Sequence, residues 1–156
     1  MTALDNKLSK INQLSVRNSA VRDEEGLYLA GLASEVPKGG RIVEIGTMNG
    51  RSTSFLAAGS DKSVRIYAID IWKDYHNLIT AVEYCTKLNI MDRIKIIKGY
   101  SAEVAKTFSG EIDLLFIDGD HSYDGVLSDY KSWHPYLKEG GVIALHDYQV
   151  TQSPGI

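Results

Sequence analysis

The sequence predicts a doubly wound, Rossmann-like α/β fold, a parallel sheet of five strands with helices on both faces, and three observations predict it. Short apolar runs alternate with helical patterns along the chain. Two of the runs are apolar on both sides, as strands covered by helices on both faces must be. With 156 residues the chain suits one domain and leaves no length for a second core.

Residues 41–45, 64–69, 93–97, 112–117 and 142–145 are rich in Ile, Val and Leu and read as strands. The doubly apolar pair is Leu114-Leu115-Phe116-Ile117 and Val142-Ile143-Ala144-Leu145. Helical patterns fill the intervals at residues 52–58, 75–88, 101–108 and 122–137, which gives β-α-β-α-β-α-β-α-β. Such alternation implies parallel strands joined by right-handed crossovers, with the strand order 3-2-1-4-5. Upstream, Leu4, Leu8, Ile11 and Leu14 have helical spacing, and Asp23, followed by Glu24 and Glu25, has the character of an N-cap and first turn. Pro37, Gly39 and Gly40 stop that helix. Residues 1–40 are therefore expected to be helices that pack on or cap a core at residues 41–156.

Composition narrows the function classes. Hydrophobic residues at 44% and charged residues at 24% exclude a disordered or fibrous chain. The formal net charge is −3, and the 17 Lys and Arg are dispersed, so there is no basic stripe to meet nucleic acid. No apolar run reaches a transmembrane length, and residues 1–10 hold Asp5 and Lys7 without the apolar stretch of a leader. The expectation is a cytoplasmic protein with neither nucleic acid nor membrane as partner. Cys85 stands alone, which excludes an internal disulfide or a multi-thiolate metal site and leaves it the part of a packed helix residue.

Open α/β sheets bind ligands beyond the carboxyl ends of their strands. After the first strand the chain reads Glu44-Ile45-Gly46-Thr47-Met48-Asn49-Gly50-Arg51-Ser52. Its glycines are too widely spaced for a dinucleotide fingerprint, and Arg51 stands where a phosphate loop needs lysine. The stretch offers a tight turn at Gly46, a helix N-terminus near Ser52 that favours a carboxylate, and Glu44 as acceptor for an ammonium group. After the second strand, Asp70 can accept from a ribose diol, with Ile71 and Trp72 as apolar surface for a base. After the third come Tyr100, Ser101 and Ala102. Each feature also has a plain structural reading: a glycine turn, a helix-capping Asp70, and Ser101 as N-cap of the helix that follows. Together, in this order, they fit one ligand with an amino acid, a ribose and a base: S-adenosylmethionine.

These residues resemble those of the class I S-adenosylmethionine-dependent methyltransferases, over roughly residues 36–148. Glu44-x-Gly46-x-x-x-Gly50, with Thr47 inside it, is similar to the family's first motif, Asp70 to its ribose-binding acid, and Tyr100-Ser101-Ala102 to its adenine-contacting segment. Phe116-Ile117-Asp118-Gly119-Asp120-His121-Ser122-Tyr123 and Gly140-Gly141-Val142-Ile143-Ala144-Leu145-His146-Asp147-Tyr148 resemble the fourth and fifth strand ends of the small-molecule O-methyltransferase branch, catechol-type and antibiotic-sugar enzymes. The resemblance implies cofactor contact at Asp118 as well, and a divalent ion, Mg²⁺, Mn²⁺ or another, held by Asp118, His146 and Asp147. The His-Asp pair departs from the Asp-Asn of catechol enzymes. His121 takes the position of their proton-accepting lysine and is the candidate general base, with Asp118 beside it in the catalytic set. Its plain reading is a bond to Asp120 that caps the next helix. Tyr123, Trp72 and Tyr148 are candidates for an aromatic wall, and nothing is assigned to His76 or His134.

The expected function is methyl transfer to a hydroxyl of a small molecule. A nicotinamide-dependent oxidoreductase would use the same sheet but needs the closer glycine spacing. A module or inactive fragment that holds the cofactor without turnover is the other rival. The family's antiparallel strand pair after the fifth strand has no counterpart here, and the fifth strand carries no edge protection. The 156 residues are thus expected either to be a truncated product or to cover that edge in a homo-oligomer.

Overall fold

The computed structural model describes residues 8–11, 13 and 21–147; Leu4, Leu14 and Tyr148 lie outside them. Residues 8–11 and 13 are helical. The chain then runs α1 (Asp23–Ser34), β1 (Arg41–Ile45), α2 (Arg51–Gly59), β2 (Arg65–Asp70), α3 (Tyr75–Lys87), β3 (Ile94–Lys98), α4 (Ser101–Ala105), β4 (Ile112–Ile117), α5 (Tyr123–Trp133) and β5 (Leu137–Leu145). The strands form one sheet in the order β3-β2-β1-β4-β5, and all four pairings are parallel, as the alternation implied.

Strand periodicity sorts the core into two layers. Ile42, Ile66, Ala68, Leu114 and Phe116 point to one face, where they meet Leu29 and Ala33 of α1, Leu56 and Ala57 of α2, and Cys85 of α3. Val43, Ile45, Ile69, Leu115 and Ile117 point to the other and pack with Ala105 and Trp133. Each such large apolar side chain, taken fully out of water, contributes about 1.5–3 kcal/mol. Cys85 is a packing residue: burial pushes its thiol up to about 12. The N-terminal helix joins this core at close quarters, since a Cβ on Gly59 would stand 2.0 Å from the Ala30 carbonyl oxygen and one on Gly26 would strike the Phe55 ring.

Several boundaries differ from the sequence reading. The N-cap of α1 is Arg22, not Asp23, and the Glu25 carboxylate accepts from its backbone N–H at 2.8 Å. Arg93 precedes β3 in a 3₁₀ turn, its guanidinium buried on Ser60 Oγ and the Asp61 carbonyl, because it closes the C-terminal end of α2. Helix α4 stops at Ala105, for Phe108 is drawn into edge contacts with Tyr67, Trp133 and Tyr136. Pro135 cannot continue α5, so a 3₁₀ turn follows and β5 starts at Leu137, slipping register against β4 before Val142.

Backbone hydrogen bonds carry the ladder one residue past β1, β3, β4 and β5. Gly99 N–H donates to Asp70 O, Gly46 N–H to Ile69 O, Asp118 N–H to Ile45 O and His146 N–H to Ile117 O, all at 2.8–3.0 Å. The loops after the strands therefore leave from one level. At their centre Gly46 has φ +90°, and a Cβ there would lie 2.0 Å from the Asp118 carbonyl oxygen. Gly46→Ala should accordingly lower stability by at least about 1–3 kcal/mol, the range for a side chain forced into left-handed backbone. Urea unfolding with a wild-type midpoint would contradict this.

Candidate functional site

A cleft of about 640 Å³ opens at that level, within the usual size of a ligand pocket. Its lining comes from every strand end but the fifth: Gly46 and Met48 after β1, Asp70, Ile71 and Lys73 after β2, Tyr100 and Ser101 after β3, Asp118 to His121 after β4, with Asp129 reaching in from α5. Of the sequence candidates, Gly46, Asp70, Ile71, Tyr100, Ser101, Asp118 and His121 line one volume. Glu44, Thr47, Gly50, Ser52 and Ala102 do not line it.

Glu44 is wholly buried, and the reason is its place on the α2 face of β1. One carboxylate oxygen accepts from the Thr47 hydroxyl at 3.0 Å and from Thr53, while Oε1 has no hydrogen-bond partner among the described residues. It ties the loop to the first turn of α2 instead of facing a ligand. Arg51, the residue standing in for the phosphate-loop lysine, is buried too and turns back to the Val21 carbonyl and Asp23, so it anchors the start of α1. Helix α2 begins at Arg51 from a left-handed Gly50.

Asp70 does not cap a helix; Asp74 does, through His76 N–H. The Asp70 carboxylate accepts from Met48 N–H at 2.8 Å and Trp72 N–H at 2.7 Å, one bond per oxygen. Each oxygen keeps acceptor capacity for a diol. Trp72, expected as base-stacking surface, is 2% exposed and donates its indole N–H to the Met48 carbonyl, so it braces the loop from below. Nor is Ser101 an N-cap: that place is Tyr100's, and Ser101 Oγ accepts from the Trp133 indole at 2.7 Å. Tyr123, expected in an aromatic wall, is 80% exposed and outside the lining.

The polar cluster at β4 and β5 does converge. His146 Nδ1 lies 3.1 Å from Asp118 Oδ1 and 3.3 Å from Asp147 Oδ2, and its Nε2 lies 3.5 Å from Glu25 Oε2 on α1. Asp118 Oδ1 and His146 Nδ1 are both buried without a hydrogen-bond partner, close but out of alignment. Burial pushes the Asp118 carboxyl up, against the pull of His146 and His121. Glu25, which the sequence marks only as a first-turn acid, is held down at about 2, first by the Arg22 side chain. An acid three residues after a helix N-cap announces a capping box; its second contact, across 121 positions to His146, leaves no local mark. Among the described residues no group of three or more His, Cys, Asp or Glu is arranged to hold an ion, so the metal site that the resemblance implies finds no support in this geometry. Asp120 accepts from Ser122 N–H, and Ser122 caps α5 through Gly125 N–H, so this pair starts the helix without His121. His121 is free of that duty, and its Nδ1 stands 3.7 Å from Asp147 Oδ2 at the mouth of the cleft.

Burial pushes the Glu44 carboxyl above its ordinary range, with the Ser52, Thr53 and Thr47 hydroxyls opposing. The native state then holds this proton to higher pH than the unfolded chain does, so the contribution of Glu44 to stability falls as pH rises through that interval. Glu44→Gln should lack the fall and gain on wild type between acidic and neutral pH. Urea midpoints at pH 4, 6 and 8 check it, and a constant difference would contradict it.

Comparison with known proteins agrees with this geometry. Residues 43–148 match a family described as a methyltransferase domain. A protein of Acanthamoeba polyphaga mimivirus with no described function is 36% identical over 116 residues, 69% of this chain and 51% of that one. The catechol O-methyltransferase of Mycobacterium tuberculosis is 28% identical over 129 residues, 82% of this chain and 56% of that one. The chain thus spans about half the length of these curated relatives. Among solved structures, the O-methyltransferase TomG of Streptomyces achromogenes, in complex with S-adenosylmethionine, superposes with a TM-score of 0.72 at 19% identity, over 93% of this chain and 65% of that one, a likeness of fold. With the family matched over most of its length and the sheet in the order β3-β2-β1-β4-β5, the chain belongs to the methyltransferase-domain family, of the class I S-adenosylmethionine-dependent type.

Proposed function

We propose that this chain binds S-adenosylmethionine in the cleft and transfers its methyl group to a hydroxyl of a small molecule. The observation that carries this is the order of groups along the strand ends: the Asp70 carboxylate beside Ile71, Ser101 on one side, and Asp118 and His121 on the other. The bound cofactor supplies an electrophilic methyl on a sulfonium. Asp70 accepts from the ribose hydroxyls, and Ile71 gives apolar surface to the base. Asp147, near Nδ1 of His121, favours the tautomer with its proton there, which leaves Nε2 to take the proton of the acceptor hydroxyl. The new O–CH₃ bond forms as the C–S bond breaks, its electrons returning to sulfur, and the hydroxyl proton ends on His121.

Supporting the reading are the relatives of the family, one of which is named a catechol O-methyltransferase. A nicotinamide reading finds no support, since Gly46 and Gly50 lie too far apart for a pyrophosphate turn. The test is calorimetry with S-adenosylhomocysteine together with labelled-methyl transfer to a panel of phenols and sugars. Asp70→Ala should weaken binding by about 1–3 kcal/mol, and unchanged affinity would take Asp70 out of the site. His121→Ala should keep that affinity and lose about 10²–10⁴ in turnover. Thermal stabilisation by NAD but not by S-adenosylhomocysteine would overturn the reading.

The assembly proposed with it is a homo-oligomer across β5. Among the described residues no strand pairs with the outer side of β5, and Val142 and Leu145 are each 41% exposed. Light scattering should give a multiple of the chain mass, and a monomer at high concentration would defeat this part.

A further inference from the structure

Asp129 is a buried charge that the methyl-transfer scheme leaves unused. It is 8% exposed, on α5 one turn before Trp133, and it borders the cleft beside the packing of α5 on α4. Among the described residues no cation pairs with it, and the charged neighbour it feels is another acid, Asp120. Burial pushes its carboxyl up, and the Ser101 hydroxyl pulls the other way. Because Ser101 Oγ already accepts the Trp133 indole N–H, the one hydroxyl proton of Ser101 is left for Asp129. Oδ2 of Asp129 lies 3.3 Å from where a Cβ on Gly119 would be, so a residue without a side chain separates this oxygen from the cleft floor.

We propose that Asp129 determines base specificity, its carboxylate accepting a hydrogen bond from the exocyclic amino group of adenine while Ser101 holds it in place. This rests on the reading of the cleft as the S-adenosylmethionine site. Ser101, Gly119 and Asp129 line the same cleft as Asp70, and Asp129 brings a buried acceptor to it. Adenine offers a donor at this edge. Hypoxanthine and guanine carry a carbonyl in the same place, which would set lone pairs against a carboxylate. A site built around a buried polar group discriminates strongly against the analogue that leaves it unpaired.

Calorimetry with S-adenosylhomocysteine and S-inosylhomocysteine tests this. Wild type should prefer the adenine compound at least about tenfold, the scale of one lost hydrogen bond to a charged group. In Asp129→Asn the amide oxygen takes the Ser101 proton and the amide N–H₂ faces the cleft, so the preference should fall to near parity or invert. An unchanged ratio in a variant with wild-type melting temperature overturns the proposal. If that variant does not fold, wild type alone decides with S-adenosylhomocysteine dimethylated on the exocyclic nitrogen: binding as tight as the parent overturns it, and a tenfold loss supports it. Failure of wild type to bind any of the three overturns the cofactor reading itself, whereas binding without discrimination removes only the role of Asp129.

Discussion

The site depends on one steric fact, the crossing of the β1 loop over the end of β4. Gly46 passes so near the Asp118 carbonyl that no side chain fits between them. The same residue donates to Ile69, and the residue it crosses donates to Ile45. Three strand ends are thereby held at one level by contacts that involve backbone alone. Side chains that follow these strands then have little freedom in where they arrive. Asp70 reaches the cleft as the last residue of β2 and Asp118 because the ladder extends a residue beyond β4, not because either side chain seeks the other.

A second layer keeps that crossing rigid, and much of it was taken from the sequence as ligand-binding. Glu44, Thr47 and Thr53 form a buried knot beneath the loop; Trp72 and Met48 close it from the β2 side; Arg51 ties the following helix to α1. A motif of glycines flanked by an acid and hydroxyls thus specifies a loop shape first. Its acid lies one residue too early to face the cleft. Side chains alternate along β1, so Glu44 points to α2 on one face while Gly46, two residues on, has already left the sheet.

What was legible in the sequence follows from locality. Strand order and the arrival of Asp70, Ser101 and Asp118 at one edge come from alternation of apolar runs, and alternation is a property of short windows. Boundaries set by distant contacts were not legible. Phe108 ends α4 through rings on β2 and α5, and β5 begins early because its pairing with β4 tolerates a slip. Asp129 went unread for a related reason. An acid four residues before a buried Trp133 shares its helical face, and that spacing was the available signal, but only the fold shows that this face meets a cleft. Glu25 was read as a first-turn acid, which it is; its approach to His146 belongs to tertiary structure.

The charge distribution around the cleft bears on how methyl transfer would be accelerated. Asp118, Asp120, Asp147 and Glu25 surround the β4–β5 side, with His146 among them and Lys73 on the opposite wall. Such a field favours a sulfonium over the neutral thioether left when its methyl departs. It therefore stabilises the donor before reaction more than after it. Stabilisation of this kind strengthens binding of the donor relative to the product, but it does not lower the barrier, because charge on sulfur is already declining in the transition state. The acceleration must come from elsewhere in the site. Holding the acceptor oxygen in line with the methyl, and giving its proton a base at His121, are the two sources that the proposed reading of this cleft offers.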